Sequence, residues 1–236
     1  MLKIESGLIK DFFDKVRMSG GQQIREGLFD FTSEGLKVAV NSETKQARCV
    51  GLLKKAAFVE YEAIGKVGLN DLDNVRKVME RFGGEMIIER SGHLLTMKNK
   101  TDKKRVEIEL VDERFLTTDI TEPNLEFDET FTATSTEMKD IFNDVQINKD
   151  SVMTIETEAK VVNFFNTGKY KFKNQILCDT VKGGVKVKFG APLIDSINKL
   201  DGKLEISIKT DYPAKIREVT EHSVITIICA PRVGEE

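Results

Sequence analysis

Leu8-Ile9-Lys10-Asp11-Phe12-Phe13-Asp14-Lys15-Val16-Arg17 and, far along the chain, Glu137-Met138-Lys139-Asp140-Ile141-Phe142-Asn143-Asp144-Val145 carry one pattern twice. Aligned without gaps, Lys10, Asp11, Phe13 and Val16 fall on Lys139, Asp140, Phe142 and Val145. Leu8, Phe12 and Val16 recur at helical spacing, as do Met138, Ile141, Phe142 and Val145, so each stretch predicts a helix with one apolar stripe. Ser6 is placed to cap the first helix, and Ser135 or Thr136 the other. Repetition of this kind predicts a chain built as two like halves.

A second pair of helices keeps the same order. Residues 69–82 set Leu72, Val75, Met79 and Phe82 on one stripe that stops at Gly83-Gly84. Residues 191–202 do the same with Leu193, Ile194, Ile197 and Leu200, with Pro192 suited to a first turn and Gly202 to a C-terminal cap. Around the helices the apolar residues alternate. Strands are expected at 28–32, 36–40, 85–89 and 106–110, then at 151–155, 184–188, 204–208 and 223–227. Gly183-Gly184 reads as a hairpin turn. The result is an α+β fold of two similar domains, each an antiparallel sheet with two helices on one face. The expected boundaries are 1–118 and 131–236, with 119–130 as the connecting loop.

The chain has 236 residues, 40% of them hydrophobic, which suffices for a buried core and excludes disorder. No stretch approaches the ~20 apolar residues of a membrane span. The first residues lack the apolar centre of a signal peptide, so an intracellular protein is expected. Cys49, Cys178 and Cys229 are too scattered for a disulfide framework or a metal site. No phosphate loop, nucleophile elbow or dinucleotide fingerprint is present, and His93 and His222 both fall at expected turns. An enzyme, and any cofactor or metal, is therefore not expected. Charge is uneven: residues 1–118 hold 21 Lys+Arg against 19 Asp+Glu, and the remainder 15 against 20. Five of those acids (Asp119, Glu122, Glu126, Asp128 and Glu129) fall in the connecting loop, so a basic face elsewhere is compatible with the net charge of −3.

The polar faces of the four helices hold such bases: Lys10, Lys15 and Arg17, then Arg76, Lys77 and Arg81, then Lys139, then Lys199. Asp11, Asp14, Asp73 and Glu80 are interleaved, which also suits an ordinary solvated surface. Lys10 and Lys139 hold equivalent places in the repeat, however, as do Lys77 and Lys199. Bases without interleaved aromatics, recognition helix or zinc spacing suit sequence-blind contact with the phosphates of a duplex.

The C-terminal run from Leu204, through Asp211-Tyr212-Pro213, to Ala230-Pro231-Arg232-Val233 and an acidic end resembles that of proliferating cell nuclear antigen, the sliding clamp of eukaryotes and archaea. Residues 69–112, with Gly83-Gly84 and the turn at Ser91-Gly92, are similar to that family's first domain. The resemblance implies a head-to-tail homotrimer whose six domains close a ring, with a strand near residues 105–111 pairing with one near 171–178 of the next chain. It puts all helices around the central hole, so that Lys10, Lys15, Arg17, Arg76, Lys77, Arg81, Lys139 and Lys199 face double-stranded DNA. Weak phosphate contacts then permit sliding while topology prevents loss.

The same resemblance implies a pocket for short clamp-binding motifs beneath the connecting loop, built from Val40, Ile120, Leu125, Phe127, Pro213, Ile228, Ala230, Pro231 and Arg232. The exposed backbone of the C-terminal strand is expected to accept the added peptide. Implied partners are a DNA polymerase, a clamp loader and other proteins with such motifs, the ring acting as a processivity factor. A heteromeric ring of the checkpoint type is the alternative assembly.

Overall fold

The computed structural model describes residues 1–17, 26–42, 44–116, 120–148, 152–166, 169–190, 197 and 199–232. In its first half the chain runs β1 (Leu2–Glu5), α1 (Ser6–Val16), β2 (Gly27–Thr32), β3 (Gly35–Asn41), β4 (Ala47–Lys54), β5 (Phe58–Glu60), β6 (Gly65–Leu69), α2 (Leu72–Glu80), β7 (Glu85–Ser91), β8 (Leu94–Asn99) and β9 (Arg105–Glu109). The second half runs β10 (Glu129–Thr134), α3 (Ser135–Gln146), β11 (Val152–Glu158), β12 (Val161–Asn166), β13 (Lys173–Leu177), β14 (Lys186–Gly190), β15 (Lys203–Ile208), β16 (Ala214–Val219) and β17 (Ser223–Cys229). The fold is α+β with antiparallel sheets. Most of a fourth helix expected at 191–202, including Leu193 and Ile194, lies outside the described residues. Ile197 and Leu200 are buried as its stripe requires, and Gly202 takes a left-handed turn at φ 69°.

Among the described residues three sheets form, in the orders β5-β1-β7-β8-β9, β10-β15-β16-β17-β4-β3-β2-β6 and β13-β12-β11-β14. The repeat is plain in these orders. The run β1-β7-β8-β9 matches β10-β15-β16-β17, and β4-β3-β2-β6 matches β13-β12-β11-β14. Within the chain, β17 pairs with β4 over seven residues, from Ser223 opposite Leu53 to Cys229 opposite Ala47, and this joint makes the eight-stranded sheet. The repeat partners of that pair, β9 and β13, are both edge strands. Each half therefore divides its strands between two sheets, where the alternation of residues predicted one.

The helices cover one face of the eight-stranded sheet. Phe12 and Val16 of α1 lie over Gly51 in β4, where an added Cβ would come within 2.7 Å of Val16 and 2.9 Å of Phe12. Cross-strand register sets Ile206, Ile216, Ile227 and Cys49 in one row on that face. Met138 and Phe142 of α3 meet Ile206 and Ile216 there, and close against Met153, Ile155 and Phe189 of the third sheet. The side chains of Leu72 of α2 and of Val40 both lie over Gly27 on the same side. One continuous apolar core results, each fully buried Leu, Ile or Phe contributing about 1.5–3 kcal/mol.

Local chemistry moves several boundaries. Strand β1 runs straight into α1 because the Ser6 amide donates to the Gly84 carbonyl, so Glu5 occupies the cap position and Ser6 is the first helical residue. Thr134, one residue before the expected caps, accepts from the Glu137 amide while the Glu137 carboxylate accepts from the Thr134 amide, a reciprocal capping box. β6 extends to Leu69, so α2 starts only at Leu72, capped by Asp71 in the left-handed conformation. Gly183 and Gly184 do have positive φ, 98° and 94°, but they are not a hairpin turn. The connection crosses from β13 at one edge of its sheet to β14 at the other, and the amides of Lys182 and Gly183 anchor it on the buried Glu129 carboxylate.

Candidate nucleic-acid interface and outer groove

The apolar stripes of α1 and α2 face the sheets, so their polar faces point to solvent side by side. Among the described residues three ion pairs connect them. Lys10 reaches Glu80 at 3.8 Å, Arg76 grips Asp14, and Arg17 grips Asp73. These pairs run in opposite order along the two helices, so α1 and α2 lie antiparallel. Arg76 is held from two sides, with Nη2 3.3 Å from Asp14 Oδ2 and Nη1 2.7 Å from Glu80 Oε1. The hydrogen bond to Asp14 raises the Arg76 pKa; burial opposes it, and the Asp14 and Glu80 charges together with the Glu80 hydrogen bond keep the net shift upward. Lys77 in the last turn of α2, Arg81 at its C-terminal cap and Lys199 are exposed, and no ion pair holds their side chains among the described residues. In the second half Lys139 lies 3.2 Å from Asp201.

Lys15 departs from expectation. It is only 4% exposed, and its ammonium lies 3.3 Å from the Glu218 carboxylate of β16, itself completely buried. Asp11 and Asp201 approach it at 3.3 and 3.4 Å. Burial alone would push the ammonium pKa down, but the Glu218 and Asp11 carboxylates outweigh it and leave the pKa raised. Lys15 follows Asp11 by one turn on the same side of α1, and its side chain turns inward to the buried Glu218 rather than to solvent. It ties α1 of the first half to β16 and the Asp201 turn of the second, and it is not part of the exposed cationic face.

On the opposite face of the eight-stranded sheet, Asn41, Arg48, Ile228 and Lys215 form one cross-strand row. The irregular segment 120–128 lies over it. Arg48 donates to the Thr121 carbonyl at 2.8 Å, Lys215 lies 3.6 Å from Glu122, and the Lys215 ammonium sits 5.7 Å from the centre of the Phe127 ring. Phe127 in turn meets Tyr212 edge to face, 6.0 Å between centroids. Beside this row Ile120 overhangs a cleft of about 360 Å³ floored by Val50, Leu52, Val224 and Thr226.

Of the expected pocket residues, Ile120 and Phe127 meet the outer face through these contacts, where Ile228 also lies. Leu125 is half-buried in the same segment. Pro213 and Ala230 stand at one end of the β16–β17 pair, because Ala214 opposes Cys229, and Pro231 and Arg232 follow. Val40 does not join them: it is 1% exposed and packs on the helix-covered face. One residue of alternation separates the two faces, and Val40 has the parity of Cys49 rather than Ile228. The C-terminal strand is not an open edge either. β17 lies mid-sheet, and the amides of Ala230 and Arg232 already donate to Gln46 and Lys188 carbonyls at 2.8 Å. Sequence reasoning missed Arg48, Lys215 and Tyr212, which hold the segment down. Their partners are remote in the chain, and although Tyr212 stands in the Asp211-Tyr212-Pro213 run, nothing local assigns any of the three to this groove.

Among the described residues no cluster of His, Cys, Asp and Glu could hold a metal ion, and no helix is long and apolar enough to cross a membrane. No family model matches the sequence, and no curated protein does. Solved structures match throughout. Proliferating cellular nuclear antigen from Entamoeba histolytica superposes with a TM-score of 0.82 at 18% identity, covering 98% of each chain. The antigen from A. fulgidus, solved with the C-terminal region of FEN-1 bound, gives 0.84 at 17% identity over 100% of both chains. The chain has the fold of these clamps.

Proposed function

We propose that three copies of this chain close head to tail into a ring around duplex DNA, and that the ring tethers a DNA polymerase and other replication or repair factors as a processivity factor. One observation carries the reading. β17 and β4 join the two halves inside the chain, while their repeat equivalents β9 and β13 are left as edges. A β9–β13 pair between neighbouring chains repeats the internal joint, satisfies both edges and closes after three chains if each half turns the path by one sixth. Val106 and Ile108 on β9 and the 82%-exposed Leu177 on β13 supply apolar contacts to such a joint. Residues 1–118 and 131–236 then act as the two domains, linked through 119–130.

In that ring the helix-covered face lines the hole, so Lys77, Arg81 and Lys199, with Lys10, Arg17, Arg76 and Lys139 behind their acid partners, face the phosphates. Contacts to phosphate alone carry no sequence preference, which suits sliding. The A. fulgidus antigen was solved with a FEN-1 terminus bound, and the groove beneath residues 120–128 is the matching place here for short motifs of a polymerase, a clamp loader or similar partners. The ring itself does no chemistry, and the energy of opening it comes from the loader.

The test is processive synthesis on a primed template. Lys77→Glu together with Lys199→Glu shortens the products while the protein keeps its thermal transition. Unchanged product length defeats the assignment of the inner face. A chain that stays monomeric alone but assembles with unlike subunits would instead indicate a mixed ring.

A further inference from the structure

The α1–α2 face carries its own anions in direct contact with its cations. Asp14 and Glu80 hold Arg76 from two sides, Asp73 holds Arg17, and Glu80 also meets Lys10. We infer that Asp14, Asp73 and Glu80 set how loosely the ring grips a duplex, by occupying three cations that would otherwise bind phosphate. The inference rests on the encircling reading above and assigns these carboxylates a role within it.

The physical argument is one of competition. A phosphate approaching Arg76 must replace two carboxylates already at hydrogen-bond or ion-pair distance, inside a partly buried site where the exchange gains little. Seen from further than the ~8 Å screening length at physiological salt, each satisfied pair is a dipole and not a charge. The pairs also fix the guanidinium planes along the helix surface, so reaching outward costs side-chain contacts as well. Lys77 and Arg81, on the same helix but without an acid partner among the described residues, remain the cations that extend to the duplex. The face thus offers two active bases out of the five that remain once the buried Lys15 is set aside from the six in its sequence. A grip of that size lets a ring slide, whereas five phosphate contacts per chain would act as a brake.

Each cation that gains a phosphate contact steepens the salt dependence of duplex binding by about 0.9 in log–log slope, which is roughly 3.5-fold in affinity between 50 and 200 mM salt. The experiment is fluorescence anisotropy of a short linear DNA duplex titrated with the full-length protein across that range. Glu80→Gln is expected to steepen the slope by about one contact, and Asp14→Asn/Asp73→Asn/Glu80→Gln by up to three, roughly forty-fold over the same range. Slopes unchanged in both variants, or weaker binding at low salt, overturn the inference. Glu80→Gln keeps the question answerable should the triple variant loosen the α1–α2 contact, since its side chain is 37% exposed. A parallel measurement separates the two claims. Wild-type protein loaded on closed circular DNA should survive dilution and leave when the circle is cut. If it does so and the slopes do not move, the carboxylate role alone falls. If it leaves both forms equally, the encircling reading falls and the inference with it.

Discussion

Replacing Lys15 by Met should destabilise this protein more than any other single charge removal on its helices. Glu218 is 0% exposed, and the Lys15 ammonium, 3.3 Å away, is its cationic partner. Breaking a buried pair by removing one member costs about 3–5 kcal/mol, because the remaining charge stays desolvated. Two features place the cost near the lower bound. Asp11 and Asp201, the other acids around Lys15, have side chains 63% and 62% exposed, so water screens them and their loss of a partner costs little. Glu218 also keeps the Asp201 amide as a donor. The expected loss is about 3 kcal/mol. Adding Glu218→Gln removes the orphaned charge while keeping an acceptor for that amide, so the double variant should recover more than half of it. Urea titration at fixed protein concentration reads both values from the midpoint at constant slope. A Lys15→Met cost below about 1 kcal/mol, or a double variant no more stable than the single one, would refute the reasoning.

Gly51→Ala forces a Cβ against Phe12 and Val16 at under 3 Å, and overpacking of this kind should cost about 1–3 kcal/mol in the same assay. Burial pushes the Asp201 carboxyl up, but the hydrogen bond from Lys139 and the Lys15 charge outweigh it and hold its pKa below the usual 3.8. Its contribution is therefore present above that pH and lost as pH falls through the lowered folded value, so Asp201→Asn should flatten the acid limb of the stability–pH curve. Burial pushes the Cys229 thiol up to about 12 and raises Cys49 as well, whereas a hydrogen bond with Thr180 lowers Cys178. A thiol reagent should accordingly label at most one cysteine per native chain, Cys178, and all three only after unfolding.

The helices were legible because their stripes are strong: Phe13, Val16, Phe142 and Val145 declare both period and repeat. Several strands were not. Val161–Asn166 and Ala47–Lys54 are interrupted by Asn163, Arg48 and Gly51, each present for a reason only the tertiary fold supplies. Asn163 accepts from Gln175 across the strand pair, and Gly51 makes room for α1. The cationic face shows the same division. Composition counted Lys15 with its neighbours because helical spacing cannot tell which polar residue leans toward a buried glutamate in the other half. Val40 and Ile228 differ by a single step of strand parity, which no local pattern fixes. The division of each half between two sheets likewise depends on the β17–β4 joint, which pairs Ser223–Cys229 with residues far back in the sequence, at Ala47–Leu53.

Light scattering of the purified chain tests the ring most directly, because a β9–β13 joint that copies β17–β4 cannot leave the chain alone. The expected mass is three times 26.6 kDa, collapsing toward a single chain when Leu177 on β13 is replaced by Asp. A wild-type mass of 26.6 kDa, unchanged across micromolar concentrations and by Leu177→Asp, would contradict it.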